Sequence, residues 1–171
     1  MMGFLASAVL CFLFTACGGE TGNGPLPSIG APSAGPTQAP QREQLTFGSF
    51  SGECSGYCQV TYTVFPTSVD RRVEPWNNDT VAFPVRRQSL SIPSAQYDSL
   101  FARLDRKAFL QLDDRIGCPD CADGGAEWIL LSGPEGTKSV TFDYGAEIPA
   151  VAPLLEAIRA IQDDPRWESI R

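Results

Sequence analysis

Residues 138–144, Lys138-Ser139-Val140-Thr141-Phe142-Asp143-Tyr144, alternate polar and apolar side chains. Residues 59–65, Gln59-Val60-Thr61-Tyr62-Thr63-Val64-Phe65, alternate in the same way and stop at Pro66. A period of two in β-branched and aromatic residues is the pattern of a strand with one buried face. Val140, Phe142 and Tyr144 are therefore expected to point inward. After the later strand, Ile148-Pro149 leads into Val151, Leu154, Leu155, Ile158 and Ile161, the spacing of a helix with one apolar face, and Pro165 stops it.

The same plan stands earlier in the chain. Ser89-Leu90-Ser91-Ile92 reads as a short strand, and Pro93 opens a helix with Ser91 or Ile92 near its cap. Tyr97, Leu100, Phe101 and Leu104 mark the buried face of that helix, and Phe109, Leu110 and Leu112 extend the apolar surface after a break. Thr80-Val81-Ala82-Phe83-Pro84-Val85 reads as an edge strand, because proline cannot donate to a central ladder. Glu127-Trp128-Ile129-Leu130-Leu131 is a further strand, and Ser132-Gly133-Pro134-Glu135-Gly136-Thr137 is turn chemistry. The expected architecture is α+β: one mostly antiparallel sheet with two helices on one face.

Each half also opens on a close cysteine pair, Cys54 with Cys58 and Cys118 with Cys121. Cysteine pair, strands, Ile-Pro and helix thus occur twice, which suggests a strand–strand–helix pseudo-repeat. Coincidence between two common units is the alternative. Proximity favours two local disulfides, and crossed bridges would tie the halves together. Four thiolates could instead hold zinc. Cys118-Pro119-Asp120-Cys121 resembles the Cys-Pro-x-Cys of glutaredoxins, which implies thiol-redox activity at Cys118 and Cys121. Ala122-Asp123-Gly124-Gly125 follows, a turn signal where that family has a helix. Asp113, Asp114, Asp120, Asp123 and Glu127 crowd the same loop and offer oxygen ligands to calcium, although the spacing is not that of an EF-hand. No metal, cofactor or catalytic residue is assigned.

Upstream, Phe4 to Phe14 is an unbroken apolar run that ends in Thr15-Ala16-Cys17-Gly18-Gly19. It is shorter than the roughly 20 residues of a membrane-spanning helix and has the length of a secretory h-region. The segment Phe14-Thr15-Ala16-Cys17 resembles the lipobox of bacterial lipoproteins. The resemblance implies removal of residues 1–16, acylation of Cys17 with a diacylglyceryl group and an N-acyl chain such as palmitate, and anchoring in a membrane. The alternative is an ordinary signal peptide cut after Ala16, leaving Cys17 as a thiol. Gly18 is not the Asp that retains such proteins at a Gram-negative inner membrane, so the outer membrane is favoured if the cell is Gram-negative.

Residues 18–40 contain six glycines, five prolines and one charge. Such a composition cannot offset its ordering entropy, so residues 17–41 read as a lipidated cysteine and disordered tether. Residues 42–171 then form one globular domain. The net charge of −7 gives no attraction to nucleic acid. Arg71-Arg72 and Arg86-Arg87 read as isolated, solvated basic pairs. The absence of histidine removes Ser-His-Asp and Cys-His nucleophile systems.

Phe47-Gly48-Ser49-Phe50-Ser51-Gly52-Glu53-Cys54, together with Ile116 to Trp128, is similar to an uncharacterised domain of bacterial secreted lipoproteins over about residues 45–162. That resemblance implies domain integrity and no known activity. The expected function is a lipid-anchored envelope protein, not an enzyme, that binds an envelope protein partner or serves the envelope structurally. An extracytoplasmic thiol-redox protein and a calcium- or ligand-binding module are the alternatives.

Overall fold

The computed structural model describes residues 42–75 and 79–169. The expected signal segment 1–16, Cys17 and the expected tether to residue 41 lie outside the described residues. The strands are β1 (Gln44–Phe50), β2 (Tyr57–Phe65), β3 (Ser68–Pro75), β4 (Arg86–Ser91), β5 (Arg115–Ile116), β6 (Ala126–Gly133) and β7 (Gly136–Asp143). The helices are α1 (Ser94–Ala102), α2 (Arg106–Gln111), α3 (Ala152–Gln162) and α4 (Arg166–Ser169).

Strand alternation pairs these segments into one seven-stranded sheet in the order β4-β3-β2-β1-β6-β7-β5. Every pairing is antiparallel except that of β5 with β7. Register decides which side chains share a face. Leu45 stands opposite Val64 and Leu131, and Val64 opposite Val69, which in turn faces Leu90. Phe47 stands opposite Tyr62 and Ile129, and Ile129 opposite Val140. These residues are buried in one cluster with Leu100 and Leu104 from α1 and its end, Phe109 from α2, and Leu154, Leu155 and Ile158 from α3. The helices therefore cover one face of an α+β sheet. Each fully buried aliphatic or aromatic side chain contributes about 1.5–3 kcal/mol, so this face carries most of the stability.

Both Ile-Pro steps deliver the chain from sheet to helix. Ile92 and Ile148 are buried and the prolines are exposed. Pro93 takes the cap position rather than the first turn of α1, and Pro149 opens a short 3₁₀ turn before α3. The first half places three strands between its cysteines and its Ile-Pro, the second half two.

Four sequence expectations are corrected. Residues 80–85 form turns instead of a strand. The Asp79 carboxylate accepts from the Ala82 amide at 3.1 Å and its carbonyl from Phe83 at 3.0 Å, a local turn that competes with strand pairing. The strands β1 and β3 were not signalled. Tyr144 is 64% exposed because the chain leaves the sheet at Asp143 and turns at Gly145, whose φ is 72°. Leu110 is 47% exposed, since the short α2 buries only Phe109.

Candidate functional site

The first strand runs from Gln44, where the chain enters the described domain, to Phe50 at the opposite end of the sheet. Both cysteine loops lie at that far end. Cys54 is bonded to Cys58 and Cys118 to Cys121, with Cα separations of 5.8 and 5.4 Å. Each bridge closes a loop beside a strand, as local pairing requires. The Ser51 amide donates to the Cys58 carbonyl at 3.1 Å, which seals the first loop against β2. Cys58 is buried, whereas Cys118 and Cys121 are both exposed.

A carboxylate joins the two loops. Asp120, between the second pair of cysteines, accepts from the Gly52 amide of the first loop at 3.1 Å and from the Gly125 amide at 3.1 Å. Its own amide donates to the Gly125 carbonyl at 3.0 Å. Gly52 has no side chain, and a Cβ there would meet the Asp120 carboxylate. The loop is wound tightly: Asp120, Ala122 and Asp123 have φ of 61°, 52° and 58°. Left-handed backbone costs non-glycine residues about 1–2 kcal/mol each, least for Asp and Asn. The disulfide and the Asp120 hydrogen bonds hold it there.

This geometry bears on the redox and calcium alternatives. A glutaredoxin-like thiol sits at a helix N-terminus, where the dipole stabilises a thiolate. Here residues 121–123 are a single 3₁₀ turn, interrupted by the left-handed Ala122. The acidic residues are engaged separately rather than gathered. Asp143 accepts from the Cys118 amide at 3.0 Å, Glu127 from Gly145 at 3.2 Å, and Asp114 pairs with Lys138. Glu127 also faces Arg159 at 3.6 Å. Among the described residues no three Asp, Glu or Cys groups converge as a ligand set. Asp113 and Asp123 are exposed.

The two basic pairs are not isolated. Register sets Arg72 directly opposite Arg87, on the face away from the helices. Arg86 lies over the Tyr57 ring, 4.5 Å from its centre. Arg71 points to the helix side between the rings of Tyr62 and Trp167, 5.9 Å from each, and donates to Gln88 at 3.1 Å. Burial pushes the Tyr62 hydroxyl above the ordinary tyrosine value, and Arg71 pulls it partly back. Sequence reasoning missed this joining because the pairs lie on separate strands, and only the β3–β4 register brings them together.

Compared with known proteins, the chain matches no family model and no curated sequence. The paired cysteines of the lipoprotein-domain resemblance are present as two bridged pairs.

Proposed function

We propose that this chain is a lipid-anchored extracytoplasmic protein of the cell envelope, held by acylated Cys17, whose domain acts by binding or bracing and not by catalysis. The observation that carries the reading is the presence of two bridged cysteine pairs downstream of an export-type apolar run. Disulfides persist in oxidising compartments and are rare in the reducing cytosol. One acyl chain holds a protein only marginally, so the two or three chains of an acylated Cys17 make the anchor permanent. The domain's layout suits display. β1 runs about 20 Å at about 3.4 Å per residue, and the cysteine loops lie at its Phe50 end. That end and the sheet face turned away from the helices are the surfaces offered to a partner.

The test is fractionation of cells producing the wild type or Cys17→Ser. Wild type should incorporate labelled palmitate and partition into detergent. The variant should remain an unacylated precursor or be released. A Cys17→Ser protein with the processed mass and detergent partition of wild type refutes the reading.

A further inference from the structure

The face of the sheet turned away from the helices carries a row of residues set by register alone: Arg87, Arg72, Thr61, Gly48, Trp128 and Thr141, on six neighbouring strands. A Cβ at Gly48 would meet the Val60 carbonyl oxygen first and then the Trp128 indole. Its ring atoms Cζ2 and Cε2 lie 3.0 and 3.1 Å from where a Gly48 Cβ would stand. The ring thus lies against Gly48 of β1 and is partly exposed. On the same face a concavity of about 400 Å³ is lined by Thr61, Thr63, Phe65, Arg72 and Arg87, together with Asp70, whose carboxylate accepts from the Ser89 hydroxyl at 2.7 Å.

Two features mark this place. Like charges directly opposite across strands are destabilising, yet Arg72 and Arg87 are so placed. Arg72 is relieved by Glu74, while Arg87 has no ion-pair partner among the described residues. An arginine in a planar fork binds a carboxylate through two parallel hydrogen bonds, and an incoming carboxylate would relieve both guanidinium groups. Threonine and serine hydroxyls both donate and accept, which matches sugar hydroxyls. A flat, partly exposed indole offers an apolar plate to the C–H face of a sugar ring. Arg72 and Trp128 are three strand spacings apart, about 14 Å, which suits a short oligosaccharide better than a single ring.

We propose that this face binds a glycan bearing spaced carboxylates, with Arg72 and Arg87 holding an acid group, Thr61 and Thr63 the hydroxyls, and Trp128 a sugar ring. The chain's net charge of −7 opposes a dense polyanion such as nucleic acid, and carboxylates separated by neutral rings avoid that repulsion. An acidic peptide adding a strand would need a free sheet edge, whereas this row is dominated by interior strands whose backbone groups are already paired. The inference rests on the binding role proposed above and names its ligand class.

Titration calorimetry on the full chain in detergent tests it, with a short oligogalacturonate, its methyl ester and poly-glutamate as probes. Because that assay does not depend on acylation, its failure is distinct from a failed Cys17 experiment. The acidic oligosaccharide should bind, and the ester at least tenfold more weakly. Arg72→Gln with Arg87→Gln should weaken binding at least tenfold, and Trp128→Phe should weaken acid and ester alike. Lys107→Gln, on an exposed helix position, should change nothing. Absence of oligogalacturonate binding overturns the proposal. So does equal binding of the ester or of poly-glutamate, or an equal loss with Lys107→Gln. Unchanged binding by the double arginine variant, with wild-type circular dichroism, overturns it as well.

Discussion

Replacing Asp120 by alanine tests the clasp between the two cysteine loops. The carboxylate holds two backbone donors, Gly52 N–H and Gly125 N–H, both at 3.1 Å. Hydrogen bonds to a charged group contribute about 1.5–3 kcal/mol each, and a buried donor left unpaired costs about 1–3 kcal/mol. Gly125 is buried, so its amide would be stranded, whereas water reaches the half-buried Gly52. Discounting Gly52 leaves about 2–4 kcal/mol for the lost acceptor. Asp120 also stands at φ 61°, a conformation that alanine resists. That adds about 1 kcal/mol, for a total of roughly 3–5 kcal/mol. In a domain of this size the loss corresponds to a fall in melting temperature of about 10 °C or more. Asp120→Asn keeps an acceptor oxygen and tolerates the left-handed backbone, so it should fall between alanine and wild type. Urea denaturation followed by circular dichroism, with both disulfides intact, measures all three. Gly52→Ala attacks the same contact from the other side, and its effect should be strongly non-additive with Asp120→Ala. An alanine variant within about 1 kcal/mol of wild type would refute the reasoning, because that is less than the weakest estimate for a single charged hydrogen bond.

Peptide mapping without reductant should find no free thiol among Cys54, Cys58, Cys118 and Cys121. A mild dithiol followed by alkylation should label the exposed Cys118 and Cys121 before Cys58, which is 7% exposed, and simultaneous labelling would contradict that order. Burial holds the protons of Tyr62 and Tyr97 beyond the ordinary tyrosine value, so their stabilisation is complete below that pH and is lost as pH rises past it toward the folded-state values. Replacing both by phenylalanine should flatten the alkaline decline in the urea midpoint, and an unchanged slope would refute the assignment. A chain starting at Gln41 should keep the melting temperature of a chain starting at residue 18, since residues 18–40 lack the composition for a core. A fall of more than a few degrees would show the tether packing on the domain.

The strands that the sequence announces are those whose buried positions are mostly apolar. β2 and β7 alternate, β6 is an apolar run that follows the buried Glu127, and α1 and α3 carry their core residues at helical spacing. β3 is hidden because Arg71 stands inward between Val69 and Val73, which breaks the apolar period. β1 is hidden by Gly48 and by its serine and threonine, yet it lies at the centre, where Leu45 and Phe47 are buried. Residues 80–85 mislead in the other direction, since β-branched composition loses there to the turn closed by Asp79. At the candidate site, the local disulfides follow from cysteine proximity. The Asp120 clasp joins residues 68 apart in sequence, and the open-face row spans six strands. Neither leaves a local signal, because both depend on register.

The position of β1 has a consequence for how the domain is completed as the chain emerges. The first of the described strands to emerge is the middle strand of the sheet. One side pairs at once with its sequence neighbour β2, but the other must wait for β6, so that Phe50 meets Ala126 only after most of the domain has emerged. Until then the nascent chain presents an unpaired central edge flanked by Leu45 and Phe47, the kind of edge that recruits other strands. Late, long-range pairing also slows folding. A chain arrested before β6 would therefore associate with other chains through β1, while one arrested after β7 would already have that edge closed.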